Sequence, residues 1–175
     1  MKLEKAALVI IDVQAGAQFL NRHVYHADAD YFTTVVQHNQ QLVANFEHRN
    51  WPIFIVTVHP KVFPAFVNQR FAKSLLMTAG LKHVHYVAKT SPSAFSQPTF
   101  MTKLHELGVE KLIMTGFTTN NGVAKTVADA EINGFDTTVV TDATVAKSAA
   151  VQAQILPQFT ELATTAEILA APRNN

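Results

Sequence analysis

Residues 114–143, MTGFTTNNGVAKTVADAEINGFDTTVVTDA, decide the fold. Lys111 to Thr115 leads into this stretch as a short apolar run of the kind that forms a buried strand, and Thr118 to Asn121 follows as a polar turn. Val123, Val127, Ala130 and Glu131 then recur at helical spacing, with Gly134 as a stop, and Thr137 to Thr141 restarts the β signal. Two strands joined through a helix make a parallel pair, because parallel strands need a long crossover between them. Open sheets of this type bind ligands beyond the carboxyl ends of their strands. The turn after the first strand is such a place, and Gly122 stands at the helix entrance, where a nucleophile would be best placed.

Working outward, Ala6 to Ile11 is continuously apolar, as expected of a central strand buried on both faces, and Asp12 follows at its carboxyl end. Gly16 to Asp30 reads as polar and irregular, whereas Tyr31 to Arg49 carries Val35, Val36, Leu42, Val43 and Phe46 on one helical face. Pro52 to Val58 is the second strand, Lys61 to Leu81 a mixture of loop and helix, Val84 to Val87 a third strand, and Thr99 to Leu107 a helix. After the central unit, Ser148 to Phe159 is helical in composition but broken by Pro157. Leu162 to Thr165 reads as a sixth strand and Ala166 to Ala171 as a closing helix. This alternation predicts a three-layer α/β sandwich: a mainly parallel six-stranded, Rossmann-like sheet with helices on both faces. No repeat, linker or low-complexity run divides the chain.

At 175 residues and 48% hydrophobic content the chain supports one sizeable core, so a single domain over residues 1–175 is expected. A net charge of +1, with only 15% charged residues, offers no electrostatic footprint for nucleic acid or an acidic membrane surface. There is no cysteine, which excludes disulfides and thiolate metal sites. The apolar run before Asp12 is too short for a signal sequence or a membrane span, and a cytoplasmic location is the expectation.

Three segments, Leu8 to Gln14 (LVIIDVQ), Lys89 to Phe95 (KTSPSAF) and the turn around Gly122, together resemble the isochorismatase-like, or cysteine hydrolase, superfamily in the order of its motifs. The resemblance runs from Leu3 to about Ile168 and implies the strand order 3-2-1-4-5-6. In that family an Asp, a Lys and a Cys form the catalytic triad. Carried over, the acid is Asp12, the lysine Lys89, and the cysteine position is held by Gly122. Thioester-based amide hydrolysis is then closed to this chain, since a carboxylate has no thiol proton to remove from glycine. A cysteine-free branch of the family, the isochorismatases proper, uses an Asp to protonate a vinyl ether, and Asp12 and Lys89 are what that reaction requires. Where those enzymes carry an aromatic residue, Ala and His in the turn, this chain has Thr118, Thr119 and Asn120. The resemblance further implies a non-proline cis peptide at Phe117–Thr118, a small-molecule substrate and a homo-oligomer. No cofactor is expected for this chain.

Each residue also has a structural reading. Asp12 at a strand end serves either to close a turn or, being partly desolvated, to move a proton. Lys89 is a loop lysine or a partner that orients the carboxylate. Gly122 permits close packing or leaves room for substrate. Gln14, Phe117, Thr118 and Thr119 are candidate substrate-binding residues, with a turn hydrogen bond the alternative for Gln14 and helix capping expected of Thr119 or Asn120. Ser93 and Phe95 are expected to pack, and Asp129 to make a structural contact. His59 lacks a second His and an acid nearby, so no metal site is expected. Phe63, Phe66 and Phe71 either wall a pocket or meet a second subunit. Three functions stay open: a hydrolase working through Asp12 and Lys89, a catalytically inactive small-molecule binder, and an interaction module.

Overall fold

The structure, a computed structural model, describes residues 3, 5–25, 28–59 and 64–172. Its sheet is wholly parallel, in the order β3-β2-β1-β4-β5-β6. The strands are β1 (Ala6–Ile11), β2 (Ile53–Val58), β3 (Val84–Lys89), β4 (Lys111–Phe117), β5 (Asp136–Val145) and β6 (Leu162–Ala163). Because successive side chains alternate across a strand, each strand feeds two cores. Leu8 and Ile10 of β1 join Ile53, Ile55 and Ile113 under Leu42, Val43 and Phe46 of α2 (Ala29–His48) and Ile168 of α7 (Thr165–Ala170). Ala7, Val9 and Ile11 join Phe54, Val56 and Met114 on the other face. There Phe100 and Leu104 of α4 (Pro98–Glu106) and Val127 and Ala130 of α5 (Ala124–Ile132) cover them. The three layers expected from the alternation of elements are thus present.

Several boundaries depart from expectation, among them that of β3, which runs on from Val87 through Lys89 and so makes Lys89 a strand residue and not a loop lysine. Residues 15–23 form a helix, α1 (Ala15–His23), where an irregular segment was expected. Its buried positions are Ala17 and Asn21, one of them polar, so no apolar stripe marks the turn spacing. Leu162 to Thr165 is strand only at Leu162–Ala163. Thr164 instead caps α7: its hydroxyl accepts from the Glu167 amide while the Glu167 carboxylate accepts from the Thr164 amide, a reciprocal capping box. The β5 strand runs to Val145, well beyond Thr141. The segment after Ser148 forms α6 (Ala149–Ile155) and then a single 3₁₀ turn at Leu156–Gln158, which accommodates Pro157. Between β2 and β3 the only regular element among the described residues is α3 (Ala65–Phe71). No helix among the described residues is long and apolar enough to cross a membrane.

Candidate active site

Parallel pairing brings the carboxyl ends of β1, β3 and β4 to one edge. Ile11 pairs with Val56 and Gly116, and Val58 pairs with Lys89, so Asp12, Lys89 and Phe117 end their strands side by side. Gly116 makes the approach of β4 to β1 possible: its φ is 112°, and a Cβ there would lie 2.0 Å from the Ile11 carbonyl oxygen. The β4–β5 register shifts between Met114 and Gly116. Just beyond, the Phe117–Thr118 peptide is cis, as the resemblance implied.

Lys89 is fully buried, and its Nζ donates to Asp12 Oδ2 at 2.8 Å and to the Pro92 carbonyl at 2.6 Å. Asp12 is 8% exposed. Burial disfavours its ionised form more than Lys89 favours it, so its pKa rises from 3.8 to about 6. The second carboxylate oxygen, Oδ1, is buried with no partner among the described residues. A carboxyl with this pKa can give up a proton near neutral pH while Oδ2 stays hydrogen-bonded to Lys89. Buried ion pairs are poor sources of net stability, and perturbed carboxylates concentrate at functional sites.

These residues open onto a cavity of about 370 Å³, within the range of small-molecule sites. Asp12, Lys89 and Gly122 line it together with Gln14, Phe117 and Thr118. Gln14 combines both of its readings. It lines the cavity, and its amide is held by hydrogen bonds with Val58, through both carbonyl and N–H, and with the Phe71 carbonyl. At Gly122 a Cβ would stand 3.3 Å from Asp12 Oδ2 and 3.0 Å from Ile11 Cγ2, so a side chain there would project at the carboxylate.

Thr119 does not join this group. It is fully buried outside the cavity lining, and its hydroxyl has no partner among the described residues. Neither it nor Asn120 caps α5. The chain enters that helix through one wide turn of π type at Thr119–Val123, started by Thr118 without a side-chain cap. A π turn already supplies carbonyl partners for the first amides, which removes the need for a capping side chain.

Part of the lining comes from residues that no sequence pattern marks as site residues. Phe19 and Leu20 of α1 line the cavity, hidden from view because that segment carries no apolar period, and so do Tyr25 and Pro92. Phe71 walls the cavity and meets Phe19 edge-on at 5.4 Å, whereas Phe66 is exposed and Phe63 lies outside the described residues. Phe95 packs in the core below α4, and Ser93 accepts from the Phe95 amide to close the turn after Lys89. Asp129 is half-buried on α5, where its carbonyl accepts from the Asn133 side chain. His59 lies beside the end of β3, its amide bound to the Lys89 carbonyl and its ring within hydrogen-bond distance of Thr57. Among the described residues no cluster of three or more His, Cys, Asp or Glu is placed to hold a metal ion.

Fold and site together define an α/β protein with a buried acid–lysine pair at the carboxyl edge of a parallel sheet. The isochorismatase domain family matches residues 6–169, nearly the whole chain, and the protein belongs to that family. Among solved structures it is similar to an isochorismatase family protein from Burkholderia thailandensis, at 25% identity over 95% of this chain and 94% of the other, with a TM-score of 0.73. It also superposes on a cysteine hydrolase from Pseudomonas syringae pv. phaseolicola (20% identity, 97% and 92% covered, TM-score 0.77). A nicotinamidase from Bacillus subtilis has the same fold (21% identity, 91% and 99% covered, TM-score 0.71). A sequence search of curated proteins returned no match. Relatives in this family are hydrolases.

Proposed function

We propose that the protein is a thiol-free hydrolase of a small molecule, with Asp12 as general acid and base and Lys89 as its supporting cation. The observation that carries this reading is the Asp12 carboxyl itself: raised to a pKa of about 6, held on one oxygen by Lys89, and lining an open cavity. Gly122, at the position the resemblance gives to the family's cysteine, leaves the space beside that carboxyl to substrate and water.

A vinyl ether suits such a site. The alkene π pair takes the Asp12 proton at the terminal carbon, forming a C–H bond as the carboxyl O–H bond breaks, and the ether oxygen's lone pair stabilises the resulting oxocarbenium ion. Water adds to the cationic carbon and returns a proton to Asp12. The hemiacetal or hemiketal then breaks its C–O bond as its hydroxyl proton passes to the leaving oxygen, giving an alcohol and a carbonyl compound. Lys89 stabilises the Asp12 carboxylate between the two proton transfers, and one water is consumed overall.

The test is release of phenol from phenyl vinyl ether and of pyruvate from isochorismate, by wild type and Asp12→Asn. Turnover of either compound that vanishes in the variant supports the reading, and turnover of neither contradicts it. A second reading, a binding protein without turnover, draws on the largely apolar wall contributed by Phe19, Leu20, Phe71 and Phe117. In that case Asp12→Asn spares ligand affinity and there is no rate to lose.

A further inference from the structure

The charges around the cavity bear on which molecules it admits. Among the described lining residues only Asp12 and Lys89 carry charge, and each is matched by the other at 2.8 Å. Lys89 spends a second N–H on the Pro92 carbonyl at 2.6 Å and is fully buried, so it has little left to offer an incoming anion. The amide of Gln14 is likewise committed to backbone groups of Val58 and Phe71. Phe19, Leu20, Phe71 and Phe117 supply apolar lining. A carboxylate entering here would lose its water against a lining that is polar in part, at Thr90, Ser91, Thr118 and Asn121, but that offers no unspent cation beside an ionised Asp12. A neutral molecule loses far less.

We propose that this cavity selects uncharged small molecules and rejects carboxylates. The inference rests on the same cavity being the ligand site, and it narrows the substrate to neutral compounds. Within the vinyl ethers it favours phenyl vinyl ether over dianionic isochorismate.

Binding of benzyl alcohol and of benzoate, measured by calorimetry well above the Asp12 pKa of about 6, tests it without requiring turnover. The expected result is benzyl alcohol bound at least about tenfold more tightly than benzoate. Leu20→Arg, a change at a partly exposed cavity residue, supplies the missing cation and should raise benzoate affinity by about fivefold or more. Equal or tighter benzoate binding by wild type would overturn the proposal, as would binding of neither compound or no response to Leu20→Arg. A protein that selects benzyl alcohol yet hydrolyses no vinyl ether would keep this selectivity and remove the acid mechanism. One that turns over isochorismate while preferring benzoate would do the reverse.

Discussion

Asp12 occupies the left-handed backbone region, with φ at 53°, which Asp and Asn tolerate better than most side-chain-bearing residues. Asp12→Asn therefore removes the titrating proton while leaving the backbone conformation accessible, and it is the fitting probe of chemistry. We expect it to lower turnover by about 10²–10⁴-fold, read as product release under saturating substrate. The same residue predicts a stability signature. Its folded pKa of about 6 exceeds the unbound value of 3.8, so the native state binds the proton more tightly than the unfolded chain. The contribution from Asp12 is therefore fullest below about pH 4 and is lost as pH rises towards 6, by about 3 kcal/mol at most. Denaturant unfolding of wild type and Asp12→Asn across this window should show their difference moving against wild type as pH rises. At Gly122 the limit is space: Gly122→Cys places a Cβ 3.0 Å from Ile11 Cγ2, and we expect a loss of about 1–2 kcal/mol in the same assay.

At the scale of elements, the site depends on how strand ends are shaped. Gly116 permits β4 to lie against the end of β1, and Gly116→Ala should cost more than about 3 kcal/mol, because the new Cβ meets backbone that cannot step aside. Below this bend, Asn39 of α2 donates to the Val35 and Ala143 carbonyls and accepts from Thr115 Oγ1 at 2.6 Å, tying α2 to β4 and β5 in a dry interior. Asn39→Ala leaves a buried hydroxyl and carbonyl short of partners and should destabilise by about 1–3 kcal/mol, measurable by urea denaturation. The strands and long helices were legible in the sequence because their burial is periodic: β1 is apolar throughout, and α2 repeats Val35, Leu42, Val43 and Phe46 on one face. Helix α1 was not, since it buries Asn21 and turns Phe19 and Leu20 towards the cavity. The entrance to α5 departs from expectation for a related reason. Polar residues at a helix start suggest side-chain capping, but a π turn meets the same demand through the backbone.

For the whole molecule, a parallel sheet between two apolar cores fixes three strand ends that lie far apart in the chain, and the site sits where they converge. The positions of Asp12, Lys89 and Gly122 could be read from motif order, and the structure brings all three to one cavity. What the sequence could not convey was electrostatic balance. That Lys89 is wholly buried and already satisfied, and that Asp12 keeps one oxygen unpartnered, depend on packing contributed by distant segments. The balance sets the direction of the pH response. If protonated Asp12 is the active form, kcat/KM is level below about pH 6 and falls tenfold per pH unit above it. The most direct test is the pH dependence of kcat/KM for phenyl vinyl ether hydrolysis, corrected for the uncatalysed acid reaction and compared with Asp12→Asn. With protonated Asp12 as the acid, the profile has a single descending limb with an apparent pKa near 6 that disappears in the variant; a rate that rises with pH through this range, or an equal rate in Asp12→Asn, would rule the mechanism out.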